Sequence, residues 1–141
     1  MVLGEFQHSL DAKGRVILPV RFRDQLEGGA VMARALDGCL AVYPLSEFDR
    51  LSHKLQEVRE RGPRERQAAR SFFSGAVEIT PDKQGRVAVP PHLREYAHLE
   101  RDVTVTGSFD HIEIWNAEQF REKDAAGIEA ISQGEGINDF L

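Results

Sequence analysis

Asp11-Ala-Lys13-Gly14-Arg15-Val16-Ile-Leu-Pro19 returns 71 residues later as Asp82-Lys83-Gln-Gly85-Arg86-Val87-Ala-Val-Pro90. Working outward, Gly4 to Asp24 aligns with Gly75 to Glu95, and seven of 21 positions are identical: glycines 4/75 and 14/85, Asp11/Asp82, Arg15/Arg86, Val16/Val87, Pro19/Pro90 and Arg23/Arg94. At an offset of 72, Tyr43-Pro-Leu-Ser-Glu-Phe48 matches Trp115-Asn-Ala-Glu-Gln-Phe120. A one-residue drift is cheap in a loop. An ordered series at near-constant spacing marks a duplicated unit.

Each copy has the same physical logic. A strand (Phe6–Leu10, or Val77–Thr80) enters the turn Asp-x-x-Gly-Arg. Asp suits the first turn position because its carboxylate accepts from amides two residues on. Gly14 and Gly85 fall where such a turn needs positive φ, which a residue without Cβ adopts freely. A second strand follows (Arg15–Leu18, or Arg86–Val89), and Pro19 or Pro90 then suits the first turn of a short helix. A second hairpin closes each copy. Ala30–Ala35 and Leu40–Tyr43 flank the two-residue turn signal Asp37-Gly38, and Val103–Thr106 and Ile112–Trp115 are their counterparts.

Helices join and close the copies. Ser46-Glu-Phe-Asp49 looks like a capping box opening a helix with Phe48, Leu51, Leu55 and Val58 on one face. Gly62-Pro63 ends it and starts a second helix that runs to Ser74, and Gly75 closes that one. A further helix runs from Ala117 to about Ile131, before a tail expected to be mobile. The expected organisation is a first unit at 4–48, a helical linker at 49–74, a second unit at 75–120, and the end of the last helix with its tail at 121–141. Units of about 45 residues are too small to bury a generous core separately. The expected class is therefore α+β and β-rich, with two pseudo-symmetric halves interleaving their hairpins into one core and helices flanking it.

The paired Asp-x-x-x-Arg turns, each followed by Val-x-x-Pro and a short helix, resemble the MraZ family, from about Gly4 to the helix after Trp115. That resemblance implies tandem swapped-hairpin units of the AbrB/SpoVT type, double-psi-like in form. It also implies a cytoplasmic, nucleoid-associated transcriptional regulator that assembles into closed rings. Such a regulator would bind double-stranded promoter DNA at direct repeats upstream of the cell-division and cell-wall gene cluster. Carried onto this chain, it makes Arg15 and Arg86 the DNA contacts, with Lys13 and Lys83 beside them on turns shaped by Asp11, Gly14, Asp82 and Gly85. The lysines stand at different turn positions in the two copies.

Two physical roles stay open for the turn arginines. A guanidinium at a hairpin tip can fork onto guanine O6/N7 or a phosphate; it can also simply pair with the Asp four residues before it. Arg21, Arg23 and Arg94 read more readily as solvated or ion-paired than as phosphate contacts. The run Arg59, Arg61, Arg64, Arg66, Arg70, interleaved with Glu57, Glu60 and Glu65, fits an exposed helical surface or a subunit contact better than a DNA patch.

Net charge is −5, so bulk electrostatics do not supply DNA affinity. Residues 1–71 carry 12 Lys+Arg against 10 Asp+Glu, and residues 72–141 carry 6 against 13. A locally basic face on an acidic chain remains possible because salt screens beyond about 8 Å. Neither a catalytic site nor a metal or cofactor site is expected. His8, His53, His92, His98 and His111 lack i,i+4 pairing and cysteine companions. Cys39 has no evident base and no partner cysteine. No apolar run approaches the roughly 20 residues of a membrane span, and Met1–Glu5 shows no signal-peptide pattern. Three binding readings remain: a DNA-binding regulator, an antitoxin-like module with a C-terminal arm, and a ring protein without sequence preference.

Overall fold

The alternating apolar segments form strands, but strands of one unit pair with strands of the other. A computed structural model describes residues 1–141. The first unit contains β1 (Val2–Ser9), β2 (Arg15–Ile17), α1 (Val20–Arg23), β3 (Ala30–Arg34) and β4 (Leu40–Pro44). Two helices follow, α2 (Leu45–Val58) and α3 (Pro63–Gly75). The second unit repeats the pattern as β5 (Val77–Ile79), β6 (Arg86–Ala88), α4 (Pro91–Tyr96), β7 (Asp102–Phe109) and β8 (Ile112–Asn116), and α5 (Ala117–Gln133) closes the fold.

Six strands make one antiparallel sheet in the order β1-β7-β8-β4-β3-β5, and β2 and β6 make a separate two-stranded ladder. Exchanging equivalent strands of the two units maps the six-stranded order onto itself, with a pseudo-two-fold between β4 and β8. The first unit's β1 pairs with β7, from Val2 opposite Phe109 to Ser9 opposite Asp102, and the second unit's β5 pairs with β3. Each unit thus completes the sheet of the other. This is an α+β fold of two interleaved repeats.

Interleaving solves the core problem. Val16, Leu18 and Phe22 meet their repeat equivalents Val87, Val89 and Leu93 in one cluster, all at most 2 % exposed. Each such side chain contributes about 1.5–3 kcal/mol on burial. Neither unit could bury its three without the other. Phe6 packs edge-on against Phe22 with ring centroids 5.3 Å apart.

Three local expectations are corrected. α2 begins at Leu45 with Pro44 as its N-cap, and no side chain caps it, so Ser46 lies inside the first turn and forms no capping box. Pro44, with φ −55°, both ends β4 and sets the helix entry. The β3–β4 loop takes three residues, Leu36–Gly38, because Ala35 N–H donates to the Cys39 carbonyl at 2.9 Å. Asp37 and Gly38 still supply positive φ there, at 64° and 82°. β1 begins at Val2, four residues before the expected Phe6, because β7 offers it a full-length partner.

At the β7–β8 turn, half-buried His111 sits between two carboxylates. Its Nδ1 lies 2.7 Å from Asp110 Oδ1 and its Nε2 3.3 Å from Glu113 Oε2. The hydrogen bond to Glu113, and next that to Asp110, hold the imidazole pKa above its ordinary 6.5 against the opposing effect of burial. Tyr43 lies against the His111 ring, and Trp115 is buried with Phe120 packed on it.

Candidate nucleic-acid interface

Both Asp-x-x-Gly-Arg segments close the same turn. Asp11 Oδ1 accepts from the Lys13 and Arg15 amides at 2.9 Å each, and Oδ2 accepts from Arg15 Nε at 2.7 Å. Asp82 repeats this with the amides of Gln84 and Arg86 at 2.9 Å and with Arg86 Nε at 2.9 Å. Gly14 and Gly85, at φ 75° and 79°, return their N–H groups to the Asp11 and Asp82 carbonyls. The hydrogen bonds, led by that from the arginine amide, hold both carboxyls below their ordinary 3.8. The arginine–aspartate pairing left open by the sequence is present in both turns. It engages Nε alone, so the Nη groups of Arg15 and Arg86 have no hydrogen-bond partner in the protein.

The two-stranded ladder sets the turns side by side. Its register is Arg15 opposite Ala88, Val16 opposite Val87, and Ile17 opposite Arg86. Successive side chains alternate faces, and Val16 and Val87 point into the core. Arg15, Ile17, Arg86 and Ala88 therefore share the outer face, with Ile17 and Ala88 exposed between two half-exposed arginines. Strand spacing and rise put the two arginine Cα atoms about 8 Å apart on the diagonal. Lys13 and Lys83 are exposed on the adjoining turns.

Arg23 and Arg94 hold this arrangement across the repeat boundary, a role that the expectation of a solvated or ion-paired face missed. Arg23 Nε donates to the Leu18 carbonyl at 2.9 Å, and Arg94 Nη1 donates to the Val89 carbonyl. Each guanidinium lies over the turn glycine of the opposite unit. A Cβ on Gly85 would overlap Arg23, and one on Gly14 would overlap Arg94. Backbone bonds complete the latch, because Leu18 N–H donates to Gly85 O and Val89 N–H to Gly14 O, both at 2.9 Å. The only sequence signal was that these arginines are themselves a repeat-matched pair, seven residues beyond Val16 and Val87.

Other basic residues lie elsewhere. Arg59, Arg66 and Arg70 line a hollow beside Phe73 between α2 and α3, and Arg59 stands over that ring at 5.2 Å. Cys39 is fully buried, and burial first, then nearby Glu113 and Asp37, push its thiol pKa far upward. No three His, Cys, Asp or Glu side chains cluster closely enough to hold a metal ion. No helix is long and apolar enough to cross a membrane.

Comparison with known proteins agrees with the repeat. The family model described as "MraZ protein, putative antitoxin-like" matches twice, over residues 1–71 and 72–132. A protein of Heliobacterium modesticaldum named transcriptional regulator MraZ is 44% identical over 136 residues, covering 94% of this chain and 95% of its own length. Proteins of the same name from Clostridium beijerinckii and Desulforamulus reducens are 42% and 41% identical. The first covers 99% of this chain and 98% of its own length, and the second spans both chains fully.

Proposed function

Because this chain belongs to the MraZ family, we propose that it is a non-enzymatic transcriptional regulator whose ladder face, with Arg15 and Arg86 at its corners, reads double-stranded promoter DNA. The observation that carries the reading is the paired turn. Two arginines with Cα atoms about 8 Å apart share one outer face, each guanidinium tied through Nε to its own Asp with its Nη edge free. A pre-oriented fork loses less entropy on forming a bidentate contact. Lys13 and Lys83 add charge at the rim, and Asp11 and Asp82 orient the arginines without occupying them fully.

One such face on a chain of net charge −5 binds DNA weakly. Assembly of copies into a closed ring would repeat the face and engage several sites on one DNA. Linked engagement raises affinity by about 10²–10⁴ without a new contact type. That accounts for direct repeats as the target, in the promoter of the cell-division and cell-wall cluster that the family resemblance indicates. The site of action is then the cytoplasm, at the nucleoid. The test is a gel shift with that promoter, with repeats intact, reduced to one, and scrambled. Binding should weaken at least about tenfold on reduction to one repeat, and fall to the nonspecific level on scrambling. Equal binding to all three DNAs would leave an assembly without sequence preference.

A further inference from the structure

Besides its two arginines, the outer face of the ladder presents no hydrogen-bonding side chain. Ile17 stands directly opposite Arg86, and Ala88 opposite Arg15, so the arginines take one diagonal and the apolar pair the other. Ile17 is 41 % exposed, and it neither joins the core cluster nor packs against it. The water-facing side of an antiparallel ladder ordinarily carries polar residues. The inward anchors are Val16 and Val87, so burial in the core does not account for an isoleucine here.

The two halves of this face are not equal. Arg15 and Arg86 are repeat equivalents, but the equivalent of Ile17 is Ala88, which lacks the branched end of the side chain. Directly opposite side chains on one ladder face have Cβ atoms about 4.5–5.5 Å apart. Ile17 therefore flanks the stem of Arg86, and it reaches further from the backbone than Ala88 does. A β-branched side chain has few rotamers, so it gives up little freedom on making a contact. A two-stranded ribbon fits the major groove, where thymine presents a C5 methyl group. The polar groups there are donors or acceptors, which an isoleucine would leave unpaired at a cost.

We infer that Ile17 is a specificity-determining residue, packing against the C5 methyl of a thymine next to the Arg86 contact. This rests on the DNA reading proposed above and adds an apolar element to it. Arg86 supplies charge and hydrogen bonds, and Ile17 selects the neighbouring base by its methyl and its lack of polarity. Ala88 falls short of the corresponding position near Arg15. The face therefore makes one methyl contact, and the pseudo-symmetry of the ladder is broken where it meets DNA.

The experiment uses the full chain and duplexes of the promoter repeats, intact and scrambled. In the intact duplex each thymine position of the repeat is replaced in turn by deoxyuridine, which keeps every hydrogen-bonding group and lacks only the methyl. Affinity is measured by fluorescence anisotropy for the wild-type chain, Ile17→Ala and Ile17→Val, with circular dichroism to confirm the fold. In wild type, substitution at one thymine position should weaken binding about fourfold per repeat, the contribution of one buried methyl group. Ile17→Ala should bind the thymine duplex about fourfold or more weakly and lose the deoxyuridine effect at that position alone. Ile17→Val, which keeps the branched methyls, should retain most of both. Equal wild-type affinity for intact and scrambled DNA overturns the DNA reading, and this contact with it. Preference for the intact repeats without a methyl-sensitive thymine overturns this contact alone. A deoxyuridine effect of the same size in wild type and Ile17→Ala does the same.

Discussion

Replacing Gly14 by alanine should destabilise the chain for two separable reasons. At φ 75° an alanine sits in the left-handed region, which costs about 1–2 kcal/mol. Its methyl would also strike the Arg94 guanidinium and drive it from the Val89 carbonyl. Loss of a charge-assisted hydrogen bond costs about 1.5–3 kcal/mol. The sum is about 2.5–5 kcal/mol. Gly38 is the internal control. Its φ is 82°, yet a methyl there meets nothing within 4 Å, so Gly38→Ala should cost the backbone part alone. At this chain length about 1 kcal/mol lowers Tm by roughly 4 °C. The assay is thermal and urea unfolding at fixed protomer concentration, since assembly adds a concentration-dependent contribution. Repeating Gly14→Ala in an Arg94→Ala background completes a double-mutant cycle, in which the glycine substitution should fall to about 1–2 kcal/mol. An equal cost in both backgrounds, or a Gly14→Ala cost matching that of Gly38→Ala, would refute the cross-unit latch.

Two pH dependences follow from the same structure. Asp11 and Asp82 have folded pKa values below 3.8, so their stabilisation is complete above that value and is lost as pH falls through the folded values. The Asp11→Asn, Asp82→Asn double variant should show a flatter loss of Tm below about pH 4, and curves parallel to wild type would contradict the turn bonding. His111 has the opposite sign. Its pKa is raised above 6.5, so its contribution is complete below that value and is lost as pH rises through the folded value. A His111→Gln chain should therefore lose less Tm than wild type as pH rises above about 6.5. Equal slopes would show that Asp110 and Glu113 do not hold the charged ring.

What the sequence disclosed and what it withheld separate by the range of the interaction. The Asp-x-x-Gly-Arg turns are local, and the need for positive φ at Gly14 and Gly85 was readable from the turn itself. The second reason for glycine there was not, because Arg94 and Gly14 belong to different units and meet only after β2 pairs with β6. The same range effect hid the start of β1: Gly4 and Glu5 are ordinary strand-edge residues until β7, about a hundred residues away, supplies their ladder partners Gly107 and Thr106. Helix entry failed at Ser46 because Pro44 already fixed the backbone into α2. The side-chain cap that does form is at Asn116, whose Oδ1 accepts from Gln119 N–H at 3.0 Å. Repeat alignment itself placed Asn116 opposite Pro44, two solutions to the same helix entry. The Arg23–Arg94 pair shows the limit most clearly, since a repeated arginine on a short helix gives no sign of whether solvent or a partner turn receives it.

The salt dependence of operator binding by Arg15→Ala and Arg86→Ala tests the central claim most directly. Each variant is first shown to assemble and to melt like wild type, and its affinity for operator and for unrelated DNA is then measured from low to moderate salt. An arginine on a phosphate should weaken binding to all DNA and flatten the slope of log K against log salt by about 0.9 for each phosphate ion pair removed. An arginine on a guanine edge should cost about 1–3 kcal/mol of discrimination at that base and leave nonspecific binding in place. Base discrimination should fall together with some flattening of the slope, with a larger effect at Arg15, whose half of the chain carries the net positive charge. Folded, assembled variants that bind the operator with wild-type affinity and wild-type salt slope would contradict the assignment of the paired turns as the DNA-reading face.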